Sequence, residues 1–154
     1  MKETMKQQRQ GGFLISKIHQ LSQRIFARIL KDHKLDEFNP AQGRIMFVLW
    51  QKDNIPIHEL VEKTQYSKST LTSMLDNLEM AGFIKRVPSK KDRREILIAL
   101  TEKNRLLQDK YVDVSREMGK LFYNKFSDEE IDDFENYLEK ILENLIEFDI
   151  ITDK

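Results

Sequence analysis

Ile131, Phe134, Leu138, Ile141, Leu145 and Phe148 alternate spacings of three and four without a break. That is nearly three heptads of the pattern one helix uses to pack along another. A second stripe lies near the other end of the 154-residue chain. Between Phe13 and Lys34, Leu14, Ile18, Leu21, Ile25 and Ile29 recur at helical spacing, and Phe13, Ile15, Phe26 and Leu30 widen the face. A helix apolar over more than half its circumference needs cover on two sides, from its own domain and from a partner chain. The chain therefore reads as two helical arms, 13–34 and 101–148, around a middle segment.

The middle segment is punctuated by caps. Asn39-Pro40 is a helix start, because Asn accepts from free backbone N–H groups and Pro at the first helical position loses no hydrogen bond. A helix follows to about Gln51, then a polar connection Lys52 to Ile55. Pro56 opens a short helix, Ile57 to Lys63, with Ile57, Leu60 and Val61 inward. After Thr64-Gln65-Tyr66, Ser67 caps a further helix running to about Ala81 and ended by Gly82. There Leu71, Leu75 and Leu78 share the buried face, and Ser69, Thr72, Ser73 and Asp76 point away from it. Two strand-like runs come next, Phe83 to Val87 and Glu95 to Leu100, the second alternating Ile96, Ile98 and Leu100 on one face. Thr101 with Glu102 starts the fifth helix, striped by Leu107, Tyr111, Val114, Met118 and Leu121. Ser127 followed by Asp128, Glu129 and Glu130 caps the sixth. The expected fold is mainly α with a small β-hairpin wing, a winged helix-turn-helix at 40–100, and one continuous unit without a Pro/Gly/Ser-rich linker.

The 26 basic and 26 acidic residues balance, but unevenly along the chain. From Ser127 to Lys154 eleven acids face only Lys140 and Lys154, a net of −9, so the remaining residues carry +9. Lys85 to Arg94 holds Lys85, Arg86, Lys90, Lys91, Arg93 and Arg94 against Asp92 alone, a net of +5 that attracts polyanions. A solvated loop is the plainer reading of such a run. With no cysteine, disulfides, thiolate nucleophiles, iron–sulfur clusters and Cys-based zinc sites are excluded. The longest apolar run, Ile45 to Trp50, is far below the roughly 20 residues of a membrane-spanning helix. Met1 to Gly12 carries no secretory signal pattern, so a cytoplasmic location is expected. His58-Glu59 with Glu62 lacks the second His of a zinc-protease helix, and reads as a surface face. His19 and His33 are candidates for a regulatory metal site, against which scattered histidines without Cys read as solvent-facing. No catalytic spacing or cofactor motif stands out, and an enzyme is not expected.

Two short helices, a three-residue turn, a polar-faced second helix and a basic hairpin suit duplex DNA. The major groove admits one helix, a helix N-terminus offers donors to phosphate, and a wing can lay arginine in a neighbouring minor groove. The candidate contacts are Ser67, Lys68, Ser69, Thr70, Thr72, Ser73 and Asn77 on the helix, and Lys90, Lys91, Arg93 and Arg94 on the wing. A winged helix that binds protein instead of DNA is the competing reading.

The stretches Asn39-Pro40-Ala41-Gln42, Leu60 through Ser67-Lys68-Ser69-Thr70-Leu71-Thr72, Leu75-Asp76-Asn77-Leu78-Glu79 through Gly82-Phe83-Ile84 to Arg86, and Asp92-Arg93-Arg94 ending in Leu100-Thr101 resemble the MarR family (multiple antibiotic resistance regulators). The likeness covers about Leu14 to Phe148. It implies a homodimeric transcription factor, usually a repressor, on a pseudo-palindromic operator, with the helices at 13–34 and 101–148 as the dimer interface. It also implies that Ser67 to Ala81 is the recognition helix, that Asp92 orients Arg94, and that Arg94 reaches DNA. The resemblance further implies a small aromatic or apolar effector, with Phe26, Phe47, Trp50 and Tyr111 as candidate lining and ordinary core packing as the competing reading. The chain departs from the family at Ser73 and Asn77, both often Arg, and at Asn104, where the family has Gly near a helix start.

Overall fold

The computed structural model describes Lys2 and residues 4–152. Asp153 and Lys154, counted in the acidic segment above, lie outside the described residues, as do Met1 and Glu3. After a short 3-10 turn, Met5–Gln7, the elements are α1 (Gly11–Asp32), α2 (Pro40–Gln51), β1 (Ile55–Pro56), α3 (Ile57–Thr64), α4 (Lys68–Met80), β2 (Ile84–Pro88), β3 (Ile96–Leu100), α5 (Glu102–Phe122) and α6 (Asp128–Thr152). The chain forms two compact units, Met1–Ser115 and Arg116–Lys154, with α5 running across the boundary. Among the described residues no helix is long and apolar enough to cross a membrane.

In the first unit the caps act where the sequence places them. The Asn39 side chain accepts from the Gln42 backbone at 2.8 Å, and the Gln42 side chain accepts from the Asn39 N–H at 3.1 Å. The two free donors at the start of α2 are thereby satisfied reciprocally. Ser67 accepts from the Thr70 N–H at the start of α4. The helix ends at Gly82, whose φ of +85° is the left-handed region that glycine enters without a Cβ penalty. The core gathers Ile45, Met46 and Leu49 of α2, Leu60 of α3, and Leu71, Leu75 and Leu78 of α4, each at most 1% exposed. Phe83, Ile84 and Ile98 close it from the sheet.

That sheet has three antiparallel strands in the order β1-β3-β2, with Ile55 opposite Ile98 and Arg86 also opposite Ile98 from the other side. The expected polar connection Lys52 to Ile55 thus ends in a strand. Asp53 secures it, accepting from the Leu100 N–H at 2.9 Å and from the Arg105 guanidinium at 2.9 Å. Ile96, placed by the alternation on one face with Ile98 and Leu100, stands 48% exposed at the wing end of β3, while the other two are buried.

α1 ends two residues before the expected Lys34, which takes φ +59° so that the Leu35 N–H closes on the Leu30 carbonyl. Burial along α1 is graded: Ile29 and Leu30 are buried, Ile25 and Phe26 half-buried, and Phe13, Leu14, Ile15, Ile18 and Leu21 exposed. Near the start of α5, Asn104 is wholly buried. Its side-chain carbonyl accepts from the Trp50 indole at 2.7 Å, and its amide donates to the Phe83 carbonyl at 2.9 Å and to Met46 Sδ. The change from the family's Gly is therefore a buried polar junction, not a surface variation.

In the second unit Ser127 and Glu130 form a reciprocal cap at the start of α6. Phe122, Tyr123, Phe126 and Phe134 pack ring against ring beside it. Further along, Ile141, Leu142, Leu145, Phe148, Ile150 and Ile151 remain 42–67% exposed.

Candidate nucleic-acid interface

The wing is a folded turn rather than a loose loop. The buried Ser89 hydroxyl accepts from the N–H groups of Lys91 and Asp92, and the Ser89 N–H donates to the Glu95 carbonyl. Asp92 Oδ1 accepts from the Arg94 N–H at 3.0 Å and from its Nε at 3.4 Å. One carboxylate thus shapes the tip and aims the arginine, whose side chain is 93% exposed. Ser89 escaped the sequence reading, although a Ser followed two and three residues on by free N–H groups is the signature of such a turn.

Ion pairs divide the cations of 40–100 into two groups. Lys52 and Lys63 both meet Glu59, whose carboxyl is held below its ordinary range by the Lys52 hydrogen bond and then by Lys63. Arg86 is gripped by Glu79 Oε1 at 2.7 Å and Asp76 Oδ1 at 2.8 Å. Arg86 therefore pins β2 to α4 and does not add to the wing's free positive charge as the sequence count had it. Lys68, Lys85, Lys90, Lys91 and Arg93 have no carboxylate within ion-pair distance among the described residues. Neutralised cations hold the fold; the others face water.

On α4 the hydroxyls are not equivalent. Ser67 is occupied as the cap and also donates to Thr70 Oγ1, and Thr72 donates to the Lys68 carbonyl at 2.8 Å. Thr72 thus has lone pairs, but not its proton, to offer a partner. Ser69 approaches only Ser67, while the exposed Ser73 and Asn77 side chains make no hydrogen bond among the described residues. A cleft of about 460 Å³ lies between α3 and the base of the wing, lined by Pro56, Ile57, Val61 and Ile96, with Lys68, at the start of α4, and Arg94 at its edges. His58 and Glu95, 3.3 Å apart, also line it.

The four aromatic side chains expected to share a pocket separate into two sites. Tyr111 packs against Phe26 at 5.9 Å and Trp50 at 4.4 Å between centroids, with Phe38 as a further neighbour. Burial pushes the Tyr111 phenol pKa up. A Cβ at Gly43 would collide with its hydroxyl, so that glycine makes room for the ring. Phe47 projects from α2 half-exposed and takes no part in these ring contacts. His19 is exposed on α1 and His33 sits at its C-cap, about 21 Å further along the helix axis.

The sequence profile of the MarR family matches residues 38–96. An organic hydroperoxide resistance transcriptional regulator of Bacillus subtilis (strain 168) is 33% identical over 113 residues, covering 72% of this chain and 76% of that protein. The chain belongs to the MarR family. As a MarR-family protein it is a DNA-binding transcriptional regulator and not an enzyme. A homoprotocatechuate degradative operon repressor of Escherichia coli is 25% identical over 117 residues, 76% of this chain and 77% of that protein. Among solved structures, a mutant MarR from E. coli in complex with operator DNA superposes with a TM-score of 0.74 at 25% identity, covering 85% of this chain and 92% of that one. The MarR-family fold is thus the one assembled above, with its wing and polar helix on named, exposed residues.

Proposed function

We propose that this MarR-family protein is a homodimeric, ligand-responsive repressor that binds a pseudo-palindromic operator in the cytoplasm. The observation that carries the reading is the sorting of charge: Lys68, Lys90, Lys91 and Arg93 stay unneutralised beside an Arg94 aimed by Asp92. Unpaired cations repel one another, and phosphate binding relieves that cost while releasing counterions. In this reading α4 enters the major groove, with Ser69, Thr70, Ser73 and Asn77 toward base edges and Ser67 and Thr72 accepting from them or from water. The backbone of one strand crosses the cleft between Lys68 and Arg94, and the wing enters the adjacent minor groove. The unit 40–100 is the DNA-binding lobe, and the helices at 13–34 and 101–148 are the dimerisation arms. The repressor named among the relatives supports the sign of regulation. The cluster of Phe26, Trp50 and Tyr111 supports an effector site, since a planar aromatic molecule can replace ring-on-ring contacts there. An effector shifts the lobes only by as much as its affinity differs between their two states.

A nuclease footprint on the DNA upstream of the protein's own gene tests this, repeated with aromatic acids. Protection of two half-sites about one helical turn apart is expected, lifted by an effective acid. Arg94→Ala is expected to weaken protection about tenfold or more at fixed salt with unchanged unfolding, a loss of about 1.4 kcal/mol. No protection of any duplex would leave the protein-binding winged helix as the better reading.

A further inference from the structure

Among the described residues, one cation of the lobe outside both the wing and α4 is left without a carboxylate partner. Arg44 leaves α2 one turn in from its N-terminus and crosses to the turn between α3 and α4. There its guanidinium lies 4.6 Å from the centre of the Tyr66 ring, and Nη1 donates to the Thr64 carbonyl at 3.3 Å. The platform beneath it is fixed. The Tyr66 hydroxyl donates to the Ala41 carbonyl at 3.1 Å, its N–H to Thr64 Oγ1, and Thr64 Oγ1 donates in turn to the Leu60 carbonyl. Gln65 between them takes φ +60°, which makes the turn tight. Arg44 is exposed, and among the described residues no carboxylate lies within ion-pair distance of it.

A residue whose only task is to latch the turn needs one neutral donor. A guanidinium brings five donors and a permanent charge. Stacking on Tyr66 and one bond to Thr64 immobilise the plane while leaving most of those donors free. The fold neutralises Lys52, Lys63 and Arg86, whose work is structural, and leaves Arg44 charged like Lys68 and the wing lysines. Its anchor, Tyr66, immediately precedes the Ser67 cap of α4.

We propose that Arg44 is a phosphate clamp, a further DNA-contact residue that grips the backbone beside the N-terminus of the recognition helix. The proposal rests on the DNA-binding reading above and adds a contact outside its residue set. As a pre-ordered phosphate contact, Arg44 contributes affinity without regard to sequence and fixes the docking angle of α4.

Binding of a mixed-sequence duplex and of the upstream fragment is measured across a salt series for the wild type, Arg44→Gln, Arg44→Lys and Arg94→Ala. Arg44→Gln keeps an amide donor for Thr64 and loses the charge. It is expected to weaken both duplexes by a similar factor and to flatten the dependence of log K on log salt by about 0.9 for each protomer that docks. Arg44→Lys is expected to keep the wild-type slope. In the wild-type protein, modification of Arg44 by phenylglyoxal, located by mass spectrometry, is expected to fall when duplex is present, a readout that does not depend on any variant folding. An unchanged slope in Arg44→Gln while Arg94→Ala flattens it, or undiminished labelling under saturating DNA, would overturn the clamp and leave the DNA-binding reading standing. Absence of salt-linked binding by the wild type would overturn both.

Discussion

Asn104 makes three polar contacts inside an apolar core, and each removes a cost that the core would otherwise bear. An isosteric apolar side chain would take the acceptor from the Trp50 N–H and leave the Phe83 carbonyl only the longer 3.4 Å bond from the Thr101 N–H. Asn104→Leu is expected to destabilise the first unit by about 1–3 kcal/mol, read from urea unfolding followed by Trp50 fluorescence. A loss below about 0.5 kcal/mol would mean that the junction carries no weight. The sequence showed only an Asn where relatives have Gly. Its burial depends on α2 and β2 arriving from 58 and 21 residues away, which no local pattern encodes. Arg86 was equally hidden: its charge was countable, but Asp76 and Glu79 reach it only once β2 folds back on α4.

Elements with strong local signals were legible. Asn39-Pro40 marks the start of α2, Ser67 that of α4 and Ser127 that of α6, because a cap is a contact between residues three apart and needs no tertiary structure. β1 was not legible, since two residues cannot display an alternation and exist as a strand only through pairing with β3. Both edges of α1 were misjudged by two residues for a similar reason: Gly11 and Gly12 begin it despite low propensity, and the left-handed Lys34 closes it. At the start of α6, the Ser127 backbone and hydroxyl hold the Glu130 carboxyl below its ordinary range. A carboxyl with a lowered folded pKa contributes stability that is full above its unfolded pKa and is lost as pH falls through the folded one. Ser127→Ala is expected to cost about 1 kcal/mol and to move Glu130 part of the way back up, since the Ser127 N–H still donates to its carboxylate, read from its side-chain carboxyl resonance during an acid titration. A Glu130 midpoint unmoved by the substitution would contradict the cap.

Over the whole molecule, apolar faces remain uncovered in each unit: Phe13 to Leu21 on α1, and Ile141 to Ile151 on α6. Burying one large side chain of this kind is worth about 1.5–3 kcal/mol, so these faces are the natural seat of the proposed dimer. Ile18→Glu together with Leu145→Glu is expected to give a monomer by sedimentation velocity with helical content retained; an unchanged dimer would place the interface elsewhere. The central claim is that the lobe keeps cations unpaired in order to meet duplex DNA. The most direct test is the affinity of the wild-type protein for the upstream fragment measured by fluorescence anisotropy over a range of salt concentrations. The account predicts a straight fall of log K with log salt at a slope of about −5 to −9, as for a dimer that neutralises six to ten phosphates. A flat line, or no binding at the lowest salt, would contradict it.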